Sequence, residues 1–252
     1  MAPLWLVPAG LLIVMAVLWE LAVMAGIVDA LLFPPPSRIL ESAGELISNG
    51  VLPGHVAATG LRVGVGVLAG AGTGVLLGIA MGSSRRLRSV LDPIIGALHP
   101  VPKIAILPLI MVVFGIGDVS LVIVIATGAF FPMLINTMSG VHQINKTHLD
   151  LAKIHAVEGI KKMRRITIPA AGPSMMAGLR LSLNTALLIT VAVEMIAART
   201  GLGSMIWLSW NTFRTEHIYV AIAVTIVFGI AVNGLISWIT RRTLPWYHGS
   251  LR

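Results

Sequence analysis

The chain has 252 residues, 56% of them hydrophobic and only 11% charged, with a mean hydropathy of +0.92. A soluble domain carries about 25% charged residues, so most of this surface is made for lipid and the class is a polytopic membrane protein. The formal net charge of +8 follows from the insertion rule for loops rather than from a nucleic-acid partner, and the absence of cysteine excludes disulfides, thiolate metal sites and a cysteine nucleophile.

A bilayer core takes about 20 apolar residues per helix. The N-terminus has no basic n-region and no small-residue cleavage site, so residues 4–26 read as a retained first span. Glu20 near its outer end is ambiguous. Residues 27–57 open with "LFPPPSRILESAGELI", whose three prolines stiffen the chain. Ser37 is the expected N-cap of a short helix that places Ile39, Leu40, Ala43, Leu46 and Ile47 on one face, lying at the outer interface.

The second span, 58–82, holds eight glycines in "GLRVGVGVLAGAGTGVLLGIAMG". Gly66, Gly70, Gly74, Gly78 and Gly82 recur every fourth residue, a stripe that lets helix backbones approach closely, within the subunit or between subunits. No G-x-G-x-x-G follows a strand here, so a nucleotide-binding reading fails.

Residues 104–116 are apolar but short, and Pro100, Pro102 and Pro108 interrupt the region. Charge placement decides whether they cross. Arg85, Arg86, Arg88 and Lys103 form one basic cluster, and Lys146, Lys153, Lys161, Lys162, Arg164 and Arg165 form the next. Both read as cytoplasmic. Residues 119–140 carry no charge and must cross, so 104–116 must cross too. The fifth and sixth spans are 174–197 and 218–240. The result is an all-α membrane protein, one transmembrane domain over 1–252, with six spans and both termini cytoplasmic. Only Arg38, Arg62, Arg199 and Arg214 then lie outside. In the outer loop 198–217, Trp207 and Trp210 suit the headgroup level.

The loop 141–173 holds the dense polar block of the chain. Thr147 and Asp150 form a capping box that predicts a helix from His148 to about Val157. Glu158 and Gly159 supply a turn, Lys161 to Ile166 fit a second short helix, and Pro169 and Pro173 break the chain before the fifth span. A basic loop drawn to anionic lipid explains the cations. A docking surface for a cytoplasmic partner also explains the cap, the acids and the two-helix layout.

This block resembles the EAA loop of the permease subunits of binding-protein-dependent ABC importers, whose form is E-A-A, three residues, Gly, nine residues, I-x-L-P. Asp150, Leu151 and Ala152 stand for E-A-A, Ala156 for the glycine, and Ile166 to Pro169 for the closing motif. "LFPPPSRIL", "LDPIIGALHPVPKIAILPL", "FGIGDVS", "GAFFPMLINTMSGV", "VAVEMIAARTGLG" and "RRTLPWYHG" resemble, in order, the nitrate/sulfonate/taurine-type permeases. The resemblance implies a bacterial inner-membrane protein acting as a homodimer. Two cytoplasmic ATPase subunits would carry the ATP and Mg, and an external solute-binding protein would deliver a small anion such as a sulfonate, nitrate or related organic acid. It also implies a coupling role for Asp150, Ala152, His155, Ala156, Val157, Glu158, Gly159, Lys162, Ile166 and Pro169. The chain has no G-x-x-x-x-G-K-[ST] loop and is not itself read as an enzyme or as a cofactor binder.

Polar residues inside the spans are the remaining candidates. Glu194 is costly in an apolar stretch and reads as a gate residue or as a structural pair with Arg199 or another helix. Asn136, Asn184 and Thr190 line the pathway or join helices. Lys103 either faces the pathway or snorkels to the inner interface. His142, His148 and His155 lack an acidic set to complete a metal site. A secondary transporter would show inverted repeats and midplane ion ligands, and a membrane scaffold would need no external binding partner; these are the alternative readings.

Overall fold

The computed structural model describes residues 6–145, 147 and 157–246. The helices are α1 (Leu6–Met24), α2 (Pro36–Ser48), α3 (Val51–Ser83), α4 (Arg85–Leu98), α5 (Leu107–Phe114), α6 (Asp118–His142), α7 (Gly159–Ala197), α8 (Leu202–Asn211) and α9 (Thr215–Thr243), with no strand among the described residues. Four of them, α3, α6, α7 and α9, are long and apolar enough to cross a membrane. The apolar stretches Gly10–Met24 and Ile104–Phe114 are shorter. At 1.5 Å per residue Ile104–Phe114 rises only roughly 16 Å, about half a bilayer core.

Two helices occupy segments that read as loops. α4 is capped by Ser84, whose hydroxyl accepts from the Leu87 amide at 3.3 Å, and it carries Pro93 inside. α8 buries Leu202, Met205 and Ser209 and leaves Trp207 and Trp210 exposed, so the two tryptophans remain free for an interface.

The described residues cluster into two compact units. One holds the chain up to Ala58 together with Glu194–Ile226. Its core is Leu46 of α2, Leu52 of α3, Leu202 and Met205 of α8, and Val220 and Ala221 of α9, with Ile39 and Ala43 packed against it. Of the apolar face expected over 39–47, Leu46, Ile39 and Ala43 pack into this core, while Leu40 and Ile47 stay exposed.

The expected cap is different. Pro35 is the N-cap of α2 and Pro36 its first residue, so Ser37 sits inside the first turn. Its amide and hydroxyl donate to the two oxygens of Glu20, at 3.0 and 2.7 Å. A proline cap offers no side-chain acceptor, and the α1 carboxylate takes over that task at the positive end of α2. Glu20→Ala is expected to speed amide exchange in the first turn of α2 while leaving α4 unchanged, as hydrogen exchange with mass detection can read.

The second unit holds Thr59–Val193 and the chain from Val227 onward. α6 is central to it, with thirteen buried positions along its length. The glycine stripe of α3 faces α6. A methyl group on Gly66 would meet Ile125, one on Gly70 the Ala126 backbone, one on Gly74 Phe130 and Met133, one on Gly78 Thr137, and one on Gly82 Val141. The stripe therefore packs within the chain. On its other side α6 meets α7, where Gly128 faces Ile189, Gly140 faces Ser174 and Gly178 faces Asn136. Ser182 donates to the Ala129 carbonyl at 2.7 Å across the same contact.

α7 corrects the expected break at Pro169 and Pro173. The helix runs from Gly159 to Ala197 through both prolines. A π turn over Met163–Thr167 precedes Pro169, and the Ile168 amide reaches back five residues to the Met163 carbonyl. Pro169 lacks an amide and crowds the carbonyl of Arg165, four residues back. Arg165 lies in the widened turn, which accommodates that mismatch without ending the helix. The second short helix expected over Lys161–Ile166 is accordingly the first part of α7.

Candidate functional site

In the polar block the structure describes Thr147, whose amide donates to Asn145 Oδ1 at 3.0 Å, and resumes at Val157, which is not helical. Glu158 follows in extended conformation, with φ −122° and ψ 170°, and Gly159 has φ +58°. In place of the expected turn, the chain passes from extended Glu158 directly into α7, whose first residue takes the left-handed φ that glycine adopts without steric cost. Lys161, Arg164 and Arg165 are exposed at the start of α7, while Lys162, Ile166 and Pro169 are half-buried. The capping box at Asp150 and the candidates Ala152, His155 and Ala156 lie outside the described residues, as does the helix expected from His148. The described residues supply an acidic residue, a left-handed glycine and a cationic first turn continuous with a membrane-length helix.

Two of the polar candidates inside the spans bond within their own helix and one bonds to another helix. Asn136 donates to the Pro132 carbonyl at 2.8 Å, a bond within α6 beside the proline inside that helix. Thr190 is fully buried and donates to the Ala186 carbonyl at 2.7 Å. Asn184 accepts from the side chain of Asn233 at 2.9 Å, which ties α7 to α9 inside the second unit. Lys103 donates to the carbonyls of Leu98, His99 and Val101 at 2.8–2.9 Å and lies 4.3 Å from the Phe131 ring centre. The ammonium thus closes the C-terminal end of α4, where cations are favoured, and its partial burial lowers its pKa.

Glu194 is fully buried at the head of the first unit's second segment. Its Oε2 accepts from the Gly203 amide at 3.0 Å, in the first turn of α8. Gly201 caps that helix with φ +122°, and a methyl group placed on it would overlap the Glu194 carboxylate. His55 Nδ1 is 3.0 Å from the Gly201 amide and 2.8 Å from its carbonyl. The carboxyl group is therefore held by the amide end of a helix, where the dipole favours an acidic side chain.

Sequence reasoning did not single out the pair Arg62–Asp118. Arg62 is buried in α3, and its Nε and Nη2 lie 2.8 and 2.7 Å from the same oxygen of Asp118 at the start of α6. The signal was present: an arginine inside an apolar helix must find an anion, and Asp118 opens the next long span. Among the described residues no set of three His, Asp or Glu side chains is placed to hold a metal.

Residues 74–245 match the family described as the binding-protein-dependent transport system inner membrane component. The chain belongs to this permease family. The permease is 31% identical over 248 residues to the taurine transport system permease protein TauC of Escherichia coli K12, covering 96% of this chain and 90% of that one. It is 33% identical over 239 residues to a Bacillus subtilis protein named as an aliphatic sulfonates transport permease, covering 94% and 87%. The nitrate import permease protein NrtB of Synechococcus elongatus is 34% identical over 187 residues, covering 73% and 67%. A chain of the MetNI methionine ABC transporter superposes with a TM-score of 0.70 at 15% identity, covering 79% of the permease and 98% of that chain, which shows a shared fold.

Proposed function

We propose that the permease is the transmembrane subunit of an ATP-driven importer for a small anion, working as a homodimer with six spans per chain and both termini in the cytoplasm. The observation that carries this reading is the family match over residues 74–245, whose range contains both the polar block and the left-handed Gly159. The shorter apolar stretches Gly10–Met24 and Ile104–Phe114 complete the six spans, and the basic clusters set their orientation. Two cytoplasmic ATPase subunits, carrying the ATP and Mg, dock on residues 141–173. Closure of those subunits moves the block, and the continuous α7 carries the displacement into the membrane. An external binding protein brings the substrate. The names of the relatives favour a sulfonate, nitrate or related organic acid.

The test is a charge reversal in the block. Glu158→Lys and Asp150→Lys are expected to lower substrate uptake about tenfold or more, since a reversed charge at a docked surface costs several kcal/mol. Membrane insertion and yield should stay at the unmodified level. Normal uptake in both variants contradicts docking through this segment.

A further inference from the structure

A cavity of about 580 Å³ opens where the end of α3, the start of α4 and the end of α6 meet, all within the second unit. Its polar lining is Ser83, Arg85, Arg88, Ser89, Asp92 and His142. We propose that this cavity binds a phosphoryl anion, whether carried by an anionic lipid headgroup or free as phosphate.

The chemistry of the lining is that of an oxyanion site. Arg85 and Arg88 stand three residues apart on α4 and therefore project from the same face. Their guanidinium groups present planar forks of donors matched to phosphate oxygens. Ser83 and Ser89 add hydroxyl donors, and His142 adds a ring that donates when protonated. Asp92 is the one carboxylate in the lining. It lies 3.9 Å from Arg88 and holds that side chain without cancelling the two arginines. α4 begins at Ser84, beside the cavity, so the positive end of the helix adds to the same field.

The outer surface of α4 is apolar. Val90, Ile94 and Leu98 recur every fourth residue and are all exposed, at 64%, 51% and 51%. At 100° per residue this stripe lies on the face of α4 opposite the cavity lining, so it does not itself choose between a lipid headgroup and a free phosphate. Both sources present the same phosphoryl oxygens to Arg85 and Arg88, and the experiment separates them.

The test uses the full-length protein in mild detergent, with native mass spectrometry after addition of phosphatidylglycerol or phosphatidylcholine. The unmodified protein is expected to retain the anionic lipid at least about tenfold better. The double variant R85Q/R88Q is expected to lose that preference, and R85Q alone, at an exposed position, to weaken it about threefold. R241Q/R242Q removes two cations from the end of α9 and should leave the preference intact. Inorganic phosphate at millimolar concentration separates the sources. Failure to displace the lipid supports the headgroup form, and displacement assigns the cavity to the phosphoryl group alone. An equal preference in the folded R85Q/R88Q protein, or an equal loss in R241Q/R242Q, overturns the site.

Discussion

Gly70→Leu is expected to abolish recovery of folded protein from the membrane, whereas Gly72→Ala, two residues away on the same helix, is expected to leave it unchanged. Even a methyl group on Gly70 would overlap the Ala126 carbonyl and approach its Cα atom, so relief requires moving α6 bodily rather than rotating a side chain. Overpacking a well-filled core costs about 1–3 kcal/mol where side chains can give. Here the obstacle is backbone, and the cost should exceed that range. Gly72 has nothing within 4 Å of a built Cβ, and alanine in a helix interior gains up to about 1 kcal/mol over glycine. Size-exclusion chromatography of detergent-extracted protein reads both outcomes as the height of the monodisperse peak. A normal peak for Gly70→Leu contradicts the α3–α6 contact.

The second large effect is expected at Gly201. Its φ of +122° is costly for any side chain, by about 1–3 kcal/mol. The added methyl group also meets the buried Glu194 carboxylate. Glu194→Ala alone leaves the Gly203 amide without its acceptor, a loss of about 1–3 kcal/mol for a buried donor. Because the two residues touch, their costs should not add: the double variant is expected to be less destabilised than the sum of the singles, since alanine at 194 clears the space that Gly201→Ala needs. Thermal melts of the four proteins in one detergent give the cycle. Strict additivity would mean that the carboxylate and Gly201 do not meet.

These cases show where local sequence carries information about the fold. Glycines spaced by four in an apolar helix have one main physical use, close backbone packing, so the stripe was readable as such. Its partner was not, because Ala126 and Thr137 lie more than fifty residues further on and present no matching pattern. Glu194 was readable as a costly carboxylate and Glu20 stayed ambiguous, yet both accept from backbone amides at helix starts, at Gly203 and Ser37. Backbone donors leave no mark in a sequence.

The prolines failed for a different reason. Pro169 and Pro173 were judged by their local effect, whereas the π turn over Met163–Thr167 accommodates Pro169 and the helix continues through Pro173. α4 and α8 were missed because a charged stretch with Pro93 inside and a tryptophan-bearing outer segment both read as loops. In the polar block, glycine alone marked the left-handed position at Gly159, although the chain there enters α7 directly.

The most direct test of the central claim is purification of the affinity-tagged permease in mild detergent, followed by an ATPase assay and by substrate uptake with and without ATP. Co-purification of an ATP-hydrolysing subunit, with uptake that stops on ATP depletion, is the result expected of an importer permease. A chain that purifies without any ATPase, and whose transport survives the loss of ATP, contradicts it.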